Sequence, residues 1–243
     1  MKMNNKNINL SQIDTVILAG GLGTRLQSVI KDKPKCLALI NGKPFIDILL
    51  DNCIKQGLQR FILCVCHLKD QIIKHLNQRN DCEIVFSIEQ EPLGTGGAVK
   101  NAETFIKSNS FFLLNGDSQV NSSFSALANF NTKKKGDMSL LLSAIEESQD
   151  YGNVNIDDNH RIILFNEKPN VKTNSTINAG VYFMQKFLVD SLTYNKNYSL
   201  EKDLLPVWIK KYNVFGKVTN SSVLDIGTPK RLSLARKIML GLL

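Results

Sequence analysis

The chain has 243 residues, with 30 Lys and Arg against 22 Asp and Glu and a formal net charge of +8. With 43% apolar and 21% charged residues it has the balance of a globular chain long enough for one large α/β domain, and no apolar run approaches the ~20 residues that cross a bilayer. The cations are scattered, Lys133-Lys134-Lys135 being the one tight run, and lack interleaved aromatics, which argues against a nucleic-acid partner; without a spanning apolar run no membrane partner is expected either.

Residues 1–13 are rich in Asn and Lys without a long apolar core, so they do not read as a secretory signal. They are expected to be a flexible extension before a single domain over 14–243. Residues 14–19 predict a buried strand. Residues 44–56 predict a helix, with Pro44 in its first turn, Phe45, Ile48, Leu49 and Ile54 inward, and Gly57 at its end. Strands follow at 60–66, 83–88 and 111–114, with helices at 69–79 and 96–106 between them. This alternation predicts right-handed crossovers and a parallel sheet. From about Met138 the pattern changes. Strands at 138–145, 152–156, 161–166 and 177–184 have few helices between them. Helices at 200–212 and 229–242 flank a last strand at 223–226. The expected fold is α/β, with a mixed, mainly parallel sheet flanked by helices.

Five cysteines, Cys36, Cys53, Cys64, Cys66 and Cys82, show no C-x-x-C spacing. Their odd number and strand context predict buried thiols in a reducing compartment, hence a cytoplasmic protein. None of the three histidines has zinc-ligand spacing to a cysteine pair.

The first strand runs into Leu18-Ala19-Gly20-Gly21-Leu22-Gly23-Thr24-Arg25-Leu26, and Lys33-Pro34-Lys35 follows. Glycines after an apolar strand let main-chain N–H groups approach a phosphate, and Arg25 and Lys35 suit a triphosphate. The loop is not the dinucleotide fingerprint, because Leu26 stands where the third glycine would fall, nor a Walker A loop. Asn115-Gly116-Asp117-Ser118 places Asp117 at a strand's carboxyl end, where a carboxylate beside a triphosphate is a natural Mg2+ ligand; the other reading is a Gly-Asp turn. Asp225 stands between apolar residues, where an acid must be paired, metal-bound or capping a turn. In Glu89-Gln90-Glu91-Pro92-Leu93-Gly94-Thr95-Gly96-Gly97, Gln90 can pair with a base edge, or the segment is a capped helix entry. Lys168 suits a phosphate and Glu167 a hydroxyl, or the two form an exposed turn.

These motifs, in this order, resemble those of the sugar-1-phosphate nucleotidyltransferases over nearly the whole chain. The segment from Ile88 to Ala98 is similar to the version in D-glycero-α-D-manno-heptose 1-phosphate guanylyltransferases. The resemblance implies a Rossmann-like nucleotidyltransferase fold. It implies transfer from an NTP, GTP first, to a sugar 1-phosphate, giving an NDP-sugar such as GDP-heptose for a surface glycan, plus pyrophosphate. Other bases, mannose or glucose 1-phosphate, and a catalytically silent regulatory subunit are the alternatives, and a homodimer is left open. By the same resemblance Leu18, Ala19, Gly20, Gly21, Gly23, Thr24, Gln90, Pro92, Gly94, Thr95 and Gly116 bind the nucleotide. Arg25 and Lys35 neutralise its phosphates, and Asp117 and Asp225 hold Mg2+. Tyr151, Gly152, Glu167, Lys168, Asn178, Gly180 and Glu201 fall on the sugar-phosphate side. Ser199, Lys202 and Asp203 fit either a sugar contact or plain helix capping.

Overall fold

The computed structural model describes residues 8–144, 152–166 and 176–241. Its first half runs β1 (Asp14–Leu18), the short hairpin β2 (Leu39–Ile40) and β3 (Lys43–Pro44), α1 (Phe45–Lys55), β4 (Arg60–Val65), α2 (Lys69–Leu76), β5 (Glu83–Ile88), α3 (Gly94–Asn101) and β6 (Ser110–Asn115). Then come β7 (Ser118–Val120), α4 (Phe124–Lys134), β8 (Met138–Ser143), β9 (Asn153–Ile156), β10 (Ile162–Asn166) and β11 (Thr176–Gln185). The described chain closes with α5 (Phe187–Asp190), α6 (Leu205–Lys211), β12 (Val214–Thr219), β13 (Val223–Asp225) and α7 (Pro229–Met239).

Among the described residues the main sheet has nine strands. β5, β4, β1 and β6 lie side by side and parallel. Beyond β6, β11 runs antiparallel, β8 antiparallel to β11, and β12 parallel to β8. The β9–β10 hairpin joins where β9 pairs Thr176 and Ile177. Among the described strands only β11 and β10 run against the rest, so the sheet is mixed and mainly parallel, as expected.

Alternate residues of the central strands feed two cores. Ile17, Leu63, Phe112 and Leu114 face α1, α2 and α4. Val16, Ile62, Phe111 and Leu113 face α3, α5 and α6. Strands buried on both faces read as continuous apolar runs, which is why they were visible in the sequence. A third cluster holds Leu26, Ile40 and Phe45 against Ile226, Leu232 and Ala235, tying the segment after β1 to α7. Leu10 and Ile13, within the stretch expected to be an extension, pack into the first core.

Several boundaries differ from expectation. Residues 200–212 are not one helix: a π-type turn, Leu200–Leu204, precedes α6, and Pro206 lies in the first turn of α6, where its missing N–H does no harm. The helix expected at 96–106 starts at Gly94, ends at Asn101, and is followed by a tight turn over Glu103–Phe105. β12 was not anticipated, because Gly216 and Lys217 interrupt its apolar run. Lys133 and Lys134 end α4 and Lys135 takes the left-handed conformation that caps it.

Candidate active site

Strand order creates the crevice. From β1 the chain moves outward to β4 and β5, then returns across β1 to β6 on its other side. The loops leaving the carboxyl ends of β1 and β6 part there, which is where open α/β sheets bind ligands. A cavity of about 420 Å³ opens at this point. Its floor is closed by the Gly116 N–H, which donates to the Leu18 carbonyl at 3.0 Å. A Cβ on Gly116 would lie 2.5 Å from that oxygen, so glycine is required there.

The glycine loop turns at Gly23, in the left-handed region at φ 61°, into a single 3-10 turn, Thr24–Leu26. Fully buried Leu26 pins the turn and leaves Arg25 exposed at the cavity edge. A second such turn, Lys35–Leu37, is anchored by buried Cys36. It aims Lys35 into the cavity, where the ammonium is ion-paired with the Asp117 carboxylate. Burial pushes the Cys36 thiol up to about 12, so it is neutral and unreactive.

A small separate sheet brings the second aspartate in. β13 pairs antiparallel with β7, setting Asp225 opposite Ser118, and the Ile226 N–H donates to the Asp117 carbonyl at 3.0 Å. The Asp225 carboxylate accepts the Gly227 N–H and, at 3.2 Å, Arg231 Nη1. Burial first, and then the charge of Asp117, push the Asp225 carboxyl up. Two carboxylates that repel one another at the edge of a cavity form an all-oxygen donor set that suits Mg2+. Among the described residues no group of three or more His, Cys, Asp or Glu could hold a metal.

Of the expected nucleotide-side residues, Leu18, Ala19, Gly20, Gly21, Gly23, Thr24 and Arg25 line the cavity. So do Lys35, Pro92, Gly94, Thr95, Gly116 and Asp117. Gln90 does not: it is exposed, whereas Glu89 is 5% exposed and lines the cavity. The inward–outward alternation of β5 continues through Ser87, Ile88, Glu89 and Gln90 and turns the glutamate inward. Glu89 Oε2 accepts the Leu93 N–H at 3.0 Å, and burial, partly offset by that bond, pushes its carboxyl up. Sequence reasoning passed over Glu89, although an acid just past a strand's carboxyl end carries the same signal as Asp117. It also assigned no role to Asn115 or Gly227, which line the cavity too.

Of the residues expected on the sugar side, Gly152, Asn178, Gly180 and Glu201 are described. The Asn178 N–H donates to the Gly152 carbonyl at 2.9 Å. Gly180, at φ 71°, packs so closely that a Cβ would lie 2.7 Å from Asn115 Nδ2. Glu201 Oε2 accepts the Thr95 hydroxyl at 2.7 Å. Ser199 and Asp203 cap the turn reciprocally: Ser199 Oγ accepts the Lys202 N–H at 3.1 Å and Asp203 Oδ2 the Ser199 N–H at 2.7 Å. Tyr151, Glu167 and Lys168 lie outside the described residues.

Fold and crevice together define a doubly wound α/β protein whose ligand site lies at the switch between β1 and β6. The chain belongs to the nucleotidyl transferase family, whose model matches residues 14–240. It is 36% identical to the D-glycero-α-D-manno-heptose 1-phosphate guanylyltransferase of Campylobacter jejuni over 90% of this chain and 96% of that protein. Identity to the enzyme of the same name from Aneurinibacillus thermoaerophilus is 32%, over 93% of this chain and 97% of that one. Among solved structures, HddC from Yersinia pseudotuberculosis superposes with a TM-score of 0.84 at 34% identity, covering 93% of this chain and 99% of that one. The same protein has been crystallised with GMP-PN and superposes with a TM-score of 0.83. Among the described residues no helix is long and apolar enough to cross a membrane.

Proposed function

We propose that this protein transfers the guanylyl group of GTP to D-glycero-α-D-manno-heptose 1-phosphate, releasing pyrophosphate. The observation that carries the reading is the convergence at one crevice of the glycine loop, the Lys35–Asp117 pair and Asp225. The names of the relatives, which cover nearly their whole length, support the base and the sugar.

An oxygen of the sugar phosphate attacks the α-phosphorus in line. A new P–O bond forms as the bond from the α-phosphorus to the bridging oxygen breaks, and pyrophosphate leaves with that electron pair. The attacking oxygen is already anionic, so no general base is needed. Catalysis is then placement and charge stabilisation. Main-chain N–H groups of the glycine loop cradle the triphosphate, Arg25 holds the β- and γ-phosphates, and Lys35 meets the charge that grows on the α-phosphate. Asp117 and Asp225 would hold Mg2+, which when bound neutralises and orients the phosphates. Lys168 anchors the sugar phosphate, and Glu167 and Asn178 take its hydroxyls.

Glu89 supports guanine as the base. A carboxylate is an acceptor only, and guanine alone among the common bases offers two adjacent donors, N1–H and the 2-amino group, on its Watson–Crick edge. The five cysteines are free thiols, which supports a cytoplasmic setting.

Pyrophosphate release from four NTPs against a panel of sugar 1-phosphates, with Mg2+, tests the reading. GTP with the heptose phosphate is expected to give the highest kcat/KM. No release from any pair overturns the enzyme reading, and preference for another base or sugar overturns the substrate.

A further inference from the structure

Residues 196–201 lie against the start of α3 and the loop before it. The Tyr198 N–H donates to the Leu93 carbonyl at 2.9 Å, and the Tyr198 carbonyl accepts the Gly96 N–H at 2.8 Å. Asn197 Nδ2 donates to the Pro92 carbonyl at 3.0 Å. The fit leaves no room for added side chains: a Cβ on Gly97 would lie 2.6 Å from the Lys196 carbonyl oxygen, and one on Gly94 would meet that of Tyr198. Pro92, Gly94 and Thr95 also line the cavity, where Glu89 holds the Leu93 N–H. The loop of residues 92–95 is thus gripped between the cavity wall and the segment that precedes α6.

A side-chain tie reaches Thr95 itself. The Leu200 N–H donates to Thr95 Oγ1 at 2.8 Å, and Thr95 Oγ1 lies 2.7 Å from Glu201 Oε2. A carboxylate only accepts, so the single hydroxyl proton of Thr95 goes to Glu201. The Ser199 hydroxyl donates to the same carboxylate oxygen at 3.3 Å, while its Oγ accepts the Lys202 N–H at 3.1 Å. Two donors on one oxygen hold the Glu201 carboxylate toward Thr95. Thr95 is expected on the nucleotide and Glu201 on the sugar phosphate, and the two side chains meet each other.

We propose that Glu201 is a positioning residue for the nucleotide: acting through the Thr95 hydroxyl, it fastens the cavity loop of residues 92–95 to the segment that precedes α6. The proposal rests on the guanylyltransferase reading above. Glu201 touches no nucleotide atom in this role. It fixes where Thr95 and Gly94 stand beside the base that Glu89 meets. Loss of its carboxylate leaves the backbone bonds of Tyr198 in place, so the fold survives and the loop loosens. GTP binding feels the loss, and the sugar phosphate does not.

Calorimetric titration with GTP and Mg2+ reads the effect without turnover. Glu201→Ala and Thr95→Val are each expected to raise the GTP Kd about fivefold, the scale of one lost charge-assisted hydrogen bond, and the double variant to raise it no further. Glu201→Gln keeps an acceptor for Thr95 and is expected to stay within about twofold of the wild type. In Glu201→Ala the KM for the sugar 1-phosphate, from pyrophosphate release, is expected to stay within about twofold, because the lost contact lies on the nucleotide side. If Thr95→Val weakens GTP and Glu201→Ala does not, the hydroxyl meets the nucleotide directly and the proposal is overturned. Additive losses in the double variant overturn it too, as does a GTP Kd unchanged in both single variants. So does a Glu201→Gln as weak as Glu201→Ala, or a sugar KM that rises in Glu201→Ala. Should Glu201→Ala fail to fold, Glu201→Leu fills the space without an acceptor and takes its place. Pyrophosphate release from GTP by the wild type keeps the guanylyltransferase reading whatever the variants do, and a wild type that binds no GTP ends both.

Discussion

Lys35 and Asp117 meet across the mouth of the crevice, 82 residues apart in the chain. Their side chains are 14% and 33% exposed, so water screens the pair and it adds little stability. Its value is placement. The lysine is held beside the glycine loop and the carboxylate beside Asp225, each ready to exchange its neighbour for a stronger one. In the proposed reaction a triphosphate would offer Lys35 more negative charge than one carboxylate does, and Mg2+ would offer Asp117 more positive charge than one ammonium.

Lys35→Ala is therefore expected to lower kcat by about 100-fold, the scale of losing one charge-stabilising donor at a reacting phosphate, while circular dichroism stays that of the wild type. A fall of less than about tenfold in a folded variant, under ~1.4 kcal/mol of barrier, removes Lys35 from that role.

Asp225 tests the metal site through pH and stability. Burial and the Asp117 charge raise its carboxyl pKa in the fold, so its charged form is the costly one. Stability from this group is greatest below the ordinary carboxylate pKa and declines as pH rises from there through the raised folded value. Asp225→Asn removes that penalty. The variant is expected to melt at or above the wild-type temperature at pH 7 without Mg2+, to lose most of any thermal shift that Mg2+ with GTP gives the wild type, and to lose activity. A variant that keeps the full Mg2+-dependent shift shows that the metal sits elsewhere.

Glu89→Gln probes the base. Its side chain keeps its size but presents a donor where guanine also presents donors. The kcat/KM for GTP is expected to fall by about 10- to 100-fold, the worth of one mispaired bidentate contact, with a smaller change for ATP. Gln90→Ala, altering the exposed neighbour, is expected to change GTP selectivity far less. If the Gln90 variant loses selectivity and the Glu89 variant keeps it, the base is read from the outer face of the loop.

Asp14 anchors the fold away from the site. It is 3% exposed, ion-paired with Arg60 Nη1 at 2.6 Å, and accepts the N–H groups of Lys107 and Ser108. Burial alone would raise its carboxyl pKa. The bonds from Ser108, Arg60 and Lys107 outweigh burial and lower it. Its contribution is present above the ordinary carboxylate pKa and lost as pH falls through the lowered one. Asp14→Asn is expected to cost about 3 kcal/mol by urea unfolding at pH 7, because Arg60 keeps a buried charge with a weaker partner. The gap between variant and wild type should narrow at pH 3. An equal gap at both values contradicts the assignment.

Much of this was legible in the chain itself. β1, β4 and β6 stand out as apolar runs because both faces of the sheet are covered. The glycine loop stands out because three glycines follow an apolar strand and a cation comes right after them. Lys35 could be picked as a cation following the glycine loop, Asp117 as an acid at a strand's carboxyl end, and Asp225 as an acid set between apolar residues. What stayed hidden depends on pairing. β12 carries Gly216 and Lys217 at its centre and is a strand because β8 lies beside it. Pro206 divides a stretch whose apolar spacing is helical throughout.

The sequence by itself determined the chemical kinds present and their order: a glycine-rich loop, two cations, two acids, and a sheet to carry them. Tertiary structure decided which side chains meet. Asp225 reaches Asp117 because β13 pairs with β7 in one register. Glu89 rather than Gln90 faces the cavity because the alternation of β5 carries one residue past its end. A shift of one residue in a strand reverses every side chain on it, and that register is set by neighbours far away in the chain.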